Sequence, residues 1–183
     1  MSTDRDGEEH SDQPIVVGPD EGNLRWFMST LFDMKVYGEH TNGAFSLIDT
    51  TVAPNSLAAP PHIHEAMDEA FYILEGTLAI LAGGGEPMNA SAGTFLFVPR
   101  GSVHGFSNDG STPARVLVFH TPTGYEGLYE EMSEPAPERR LPPPPKHPPD
   151  MERLAAIGRK YRTIVLPPPQ SGAAGPPGVP PRT

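Results

Sequence analysis

The chain contains no cysteine. That excludes a disulfide framework and any thiolate metal ligand. It has no apolar run approaching the ~20 residues needed to cross a bilayer as a helix. Met1 to Gln13 is polar and acidic, without the basic start and apolar stretch of a signal peptide, so a cytoplasmic protein is expected. Basic residues are scarce: 13 Lys and Arg stand against 23 Asp and Glu, for a net charge of −10. No basic stripe exists, which argues against nucleic acid or anionic membranes as partners. Aromatics make up 8% of the chain, and Trp26 is the sole tryptophan. No internal repeat is visible, so a single copy of the fold is expected.

Both ends differ from the middle. Residues 1–22 hold seven acids and one base, more than half of the net charge. Of 24 prolines, 15 lie from Pro135 onward. These shifts predict a disordered acidic leader at 1–13, a β-rich unit at 14–133 and an extended Pro-rich segment at 134–149. A helix with an extension at 150–166 and a disordered Pro/Gly tail at 167–183 complete the reading.

Between the ends, short apolar runs are cut by Gly and Pro. Pro14 to Val17 reads as a short strand, and Leu24 to Tyr37 as two apolar-rich stretches. Gly43 to Val52 alternates, with Phe45, Leu47 and Asp49 on one face. Ala70–Leu74, Thr77–Leu81, Thr94–Val98 and Arg115–His120 are further strands. Many short strands predict an all-β, small antiparallel jelly-roll barrel rather than a helical fold. Two short C-terminal helices are expected after it. Tyr125 to Met132 is the first. Met151 to Tyr161 is the second, with Asp150 as N-cap and Leu154, Ile157 and Tyr161 as its apolar stripe. Pro167 is read as its stop. This helix either packs on the barrel exterior or covers the barrel mouth as a lid.

Two motifs within this region carry chemistry. The first runs His62-Ile63-His64, then Glu69, then Gly76. The second runs Gly93, Pro99, Gly101, His104 and Asn108. On a strand, residues i and i+2 share a side, so His62 and His64 project together. Pro99 and Gly101 give turn chemistry that aims His104 back toward them. Three imidazoles and one carboxylate at these spacings predict one divalent transition-metal site. Iron, nickel, manganese, cobalt, copper and zinc all suit such ligands. Four protein ligands leave open positions on a five- or six-coordinate ion, where chemistry can occur.

Those motifs resemble the cupin superfamily, and specifically its single-domain members. The second family motif matches at every position; the first matches at His62, His64, Glu69 and Gly76. It departs six residues before His62, where the family has glycine and this chain has Ser56. The resemblance implies a jelly roll from about residue 23 to 120, with the three histidines and Glu69 binding the metal. Single-domain members are often dimers, so a homodimer is expected.

The pocket between the sheets is expected to be apolar, with candidate lining residues Phe45, Phe71, Phe95, Phe97, Phe106 and Phe119. Leu47, Ile73 and Met67 are further candidates. His120 is read as a solvated residue at a strand end in preference to an acid/base group behind the ligands, and Tyr72 and Tyr125 are left unassigned. The resemblance extends to quercetinase-like dioxygenases through Gly124-Tyr125-Glu126 and the helical, Pro-rich C-terminal third. It implies a flavonol-like or enolic substrate and dioxygen meeting at the metal, with Glu69 as both ligand and catalytic base. Three function classes are open: a dioxygenase on a small aromatic or enolic substrate, a non-oxidative cyclase, isomerase or dehydratase, and a non-catalytic small-molecule-binding protein. The fold alone does not choose among them.

Overall fold

The computed structural model describes residues 13–166. The tail expected at 167–183 and the leader expected at 1–13, Gln13 aside, lie outside these residues. Twelve strands and two α-helices occur within the described part. They are β1 (Asn23–Phe27), β2 (Thr30–Val36), β3 (Ser46–Val52), β4 (Ser56–His64), β5 (Asp68–Glu75) and β6 (Thr77–Ala82). Then come β7 (Met88–Ser91), β8 (Phe95–Val98), β9 (Val103–Asn108), β10 (Ala114–Thr121), α1 (Glu126–Met132), β11 (Glu134–Pro135), α2 (Met151–Lys160) and β12 (Thr163–Val165).

The strands form two antiparallel sheets packed face to face, as a jelly roll requires. The larger has the order β11-β1-β2-β3-β10-β5-β8, and the smaller β12-β4-β9-β6-β7. Their inner faces interdigitate into one core, with Met34, Ile48, Phe71, Ile73, Leu78, Ile80 and Val116 all nearly inaccessible. Alternation explains the placement: residues two apart on β10, namely Val116, Val118 and His120, all face inward.

Several expectations need correction. No strand forms at Pro14 to Val17. The face assigned to β3 is reversed. Ser46, Ile48, Thr50 and Val52 point inward, while Asp49 reaches Arg115 with an Oδ2–Nη2 distance of 2.5 Å. Pro167 does not stop α2. The helix ends at Lys160, and the chain turns through Arg162, at a φ of 54°, into β12. The helix start is as expected: Asp150 accepts a hydrogen bond from the Arg153 amide at 2.9 Å.

Strands β11 and β12 are not foreshadowed by sequence pattern, and they change the role of the C-terminal third. Strand β11 extends the large sheet beside β1, and β12 extends the small sheet beside β4. The register sets Val165 opposite His62 and Thr163 opposite His64. The helices pack on each other, and Tyr125, Leu128, Tyr129 and Ile157 join the core.

A candidate metal centre

Two histidines come from β4, one from β9 and the carboxylate from β5 of the facing sheet. His62 stands directly opposite His104 in the small sheet. Two glycines secure this. Gly101, at a φ of 83°, donates its amide to the His64 carbonyl at 2.8 Å, tying the turn of the second motif to the first. At Gly105 a Cβ would sit 2.9 Å from the Ala59 carbonyl oxygen, so only glycine lets β4 run close beside β9 there. Asn108, the last residue of the second motif, is structural. Its side chain donates to the Val52 and Thr112 carbonyls and accepts from the Gly110 amide. Asp68 holds Arg100 through two parallel hydrogen bonds, bracing the same turn beside Glu69.

The structure brings His62, His64, Glu69 and His104 together. One ligand atom from each lies within 4.8 Å of all the others, and all four residues are buried. His62 Nε2 is 3.1 Å from His64 Nε2. Glu69 Oε2 is 3.4 Å from His64 Nε2 and 2.6 Å from His104 Nε2. Ligands at ~2.1 Å from one ion stand about 3 Å apart across a right angle, so the spacing fits.

Hydrogen bonding on the far side of each ring makes the stronger case. His62 Nδ1 donates to the Pro60 carbonyl at 2.8 Å and His104 Nδ1 to the Ser102 carbonyl at 3.0 Å. A carbonyl only accepts, so in the neutral rings both Nε2 atoms present lone pairs inward. His64 Nδ1 meets Thr163 Oγ1 at 2.9 Å. The lone pairs of His62 and His104 and the Glu69 carboxylate thus face one another, an arrangement that suits a cation between them. A proton serves in the metal-free state; a divalent ion satisfies all four at once.

The acid–base properties agree. Burial is the largest influence on Glu69 and opposes its charge. Hydrogen bonds from His104, His120 and His64 outweigh burial and hold the carboxyl well below its usual range. Burial also works against a charged His104, but Glu69 raises its pKa above the ordinary value. Burial, then His104 and His64, lower His62 to about 3. Burial likewise lowers His64. His62, His64 and Glu69 are thus shifted toward their metal-binding forms, and His104 toward its protonated form beside Glu69.

His120 is corrected. It is fully buried, not solvated, and its Nε2 lies 3.1 Å from Glu69 Oε1 and 3.2 Å from the Tyr129 hydroxyl. Its Nδ1 has no protein partner among the described residues. The alternation of β10 carried the signal: His120 is in phase with Val116 and Val118. Thr163 carried none, because its role depends on pairing across 99 positions.

The phenylalanine set divides. Phe106 lines the cavity at the ligands, and Phe71 packs edge-on against it with ring centres 5.4 Å apart. Phe45, Phe95 and Phe97 are 37%, 62% and 52% exposed and do not line it. Phe119 packs against Phe45 on the outer face of the large sheet. The cause is phase: β8 covers the core through Val98, which leaves Phe95 and Phe97 outward or at the sheet edge. Tyr72 is likewise exposed. Phe27, Phe32, Tyr125 and Tyr129 line the cavity in their place.

The fold and the ligand geometry agree with likeness to known proteins. Residues 49–120 match the family model described as a cupin domain. The match, together with the jelly-roll fold, supports the cupin superfamily. The quercetin 2,3-dioxygenase of Bacillus subtilis is 27% identical over 122 residues, 67% of this chain and 35% of that protein. The tetracenomycin polyketide synthase protein TcmJ of Streptomyces glaucescens is 33% identical over 84 residues, 45% of this chain and 56% of that protein. The chain thus spans about a third and about half of these relatives' lengths. Among solved structures, the polyketide cyclase RemF of Streptomyces resistomycificus superposes with a TM-score of 0.51 at 21% identity, covering 76% of this chain and 89% of its own. A predicted oxalate decarboxylase of Thermotoga maritima superposes at 0.54 and 23% identity, covering 59% of this chain and 99% of its own. These two support the cupin fold. Among the described residues, no helix is long and apolar enough to cross a membrane.

Proposed function

We propose that this protein is a metal-dependent enzyme acting on a small aromatic or enolic substrate, and that the reaction begins with removal of a hydroxyl proton by Glu69. The observation that carries this reading is a buried carboxylate held ionised at the edge of an apolar cavity. Bound at His62, His64, Glu69 and His104, a divalent transition metal supplies Lewis acidity and, if redox-active, dioxygen chemistry. The remaining work belongs to the chain. His120 donates to Glu69 Oε1 and fixes the carboxylate plane, leaving Oε2 toward the three imidazoles. Burial pushes the Tyr125 and Tyr129 phenols up, so both stay neutral beside the site. Phe106, Val118, Leu128 and Ile157 exclude water, which strengthens every charge inside.

Dioxygenation of a flavonol-like substrate is the first form of the proposal, supported by the 27% likeness to quercetin 2,3-dioxygenase. Non-oxidative chemistry on a polyketide-like aromatic is the second, supported by the 33% likeness to the tetracenomycin polyketide synthase protein. Both start with the same proton, so one experiment tests the common part. Glu69→Gln keeps an oxygen that can coordinate but is a far weaker base. It should retain much of the metal and lose ~10²–10⁴ of turnover. Near-normal turnover with normal metal would remove Glu69 as the base. An oxygen electrode then divides the two forms: product formed without dioxygen would overturn the dioxygenase form.

A further inference from the structure

The cavity at the ligand cluster measures about 70 Å³. That is far below the ~300–1,000 Å³ of sites that enclose organic ligands. A second cavity, of about 870 Å³, lies next to it. Phe27, Met132, Leu154 and Ile157 line both. These four side chains, from β1 and the two helices, are the partition between them.

The outer wall of the larger cavity is the Pro-rich segment, held in place at both ends. The Arg140 carbonyl accepts from Trp26 Nε1 at 2.8 Å, and Arg139 pairs with the buried Asp33. At the far end Asp150 caps α2. Pro142, Pro144, Pro145 and Pro149 face the space, with Trp26 as its aromatic surface. Proline offers a rigid apolar face and no amide donor needing a partner. The rest of the lining is mixed: Leu57 and the partition side chains are apolar, while Asn55, Glu134, His147 and Arg153 supply hydrogen-bonding groups.

We propose that this outer cavity is a binding site for a planar, hydroxylated aromatic molecule, an antechamber from which substrate passes the Phe27–Met132–Leu154–Ile157 partition to the ligand cluster. A flat ring system seats between the indole and the prolines, and its hydroxyls meet the polar residues. Met132, with its unbranched and adaptable side chain, is the member of the partition best able to yield where the inner cavity is too small. Passage onward to the ligand cluster rests on the function proposed above; binding in the antechamber does not.

Trp26 is the only tryptophan and lines this cavity, so its fluorescence reads occupancy directly. Quercetin is the probe, titrated into the metal-loaded full chain. Saturable quenching is expected, and it should persist in the metal-free double variant His62→Ala/His64→Ala. Leu57→Arg and Pro144→Asp alter exposed residues of the lining. Each should weaken quenching at least tenfold with circular dichroism unchanged. Quenching that does not saturate, that ignores both lining variants, or that disappears with the metal ligands would overturn the antechamber. Saturable quenching without turnover would instead sink the flavonol-dioxygenase form of the proposed function and leave the antechamber standing.

Discussion

Thr163→Val tests whether the C-terminal strand belongs to the metal centre. Valine keeps the size and β-branching that suit β12 and removes only the hydroxyl. In the native protein that hydroxyl meets His64 Nδ1 at 2.9 Å, with Thr163 3% and His64 2% exposed. Water cannot replace it without opening the strand pair. The variant leaves a buried imidazole N–H unsatisfied, at a cost of about 1–3 kcal/mol. Tyr125 loses a hydrogen bond to the same residue. Loss of an outer partner of a ligating histidine typically weakens metal binding 10–100-fold. At ~1.4 kcal/mol per decade that is about 1.4–2.8 kcal/mol, the same range reached from the hydrogen bond alone. Competition of zinc between the protein and a chromophoric chelator measures it. Thr163→Ser should bind like the native protein. Equal affinity in all three proteins would refute the reasoning and reduce β12 to a passive edge strand.

His62 has a folded-state pKa of about 3 against an ordinary 6.5, so its stability contribution is complete above pH 6.5 and falls as pH drops toward 3. The metal-free protein should lose up to ~1.4 kcal/mol per pH unit across that window in urea titrations. His62→Gln should flatten the slope; an unchanged slope would assign it elsewhere. His104, raised, acts on the opposite side: its contribution is present below pH 6.5 and lost as pH rises through its folded value. On the outer face of the large sheet, Phe97, Ala70, Phe119 and Leu47 stand in one cross-strand row, and Phe95, Tyr72 and Leu117 in the next. We expect two copies to meet there. Light scattering should give twice 19.7 kDa, and Phe95→Glu/Phe97→Glu should halve it. A monomeric native protein would refute the assignment.

How much of the fold and the site was legible depends on the distance over which each signal acts. The clustering of His62, His64, Glu69 and His104 reads from the sequence because its geometry is local: i and i+2 on β4, a bend to Glu69, and a turn whose Gly101 amide meets the His64 carbonyl. The jelly roll reads for the same reason, from short runs cut by turn residues. Lining residues did not read well. Aromatic content near a motif says nothing about phase, and a shift of one residue sends a side chain to the other face. Phe95 and Phe97 went outward that way, while His120, in phase with Val116 and Val118, went inward. The C-terminal third read least. Asp150 and the stripe of α2 were visible because a helix start is local. Thr163 was not, because its value lies wholly in pairing with a strand 99 positions earlier. Proline composition predicts an extended chain, and the chain is extended. Composition carries no information on where such a chain is fastened. Here its fastening to Trp26 and Asp33 makes a Pro-rich stretch that looks like a linker into a wall of the outer cavity.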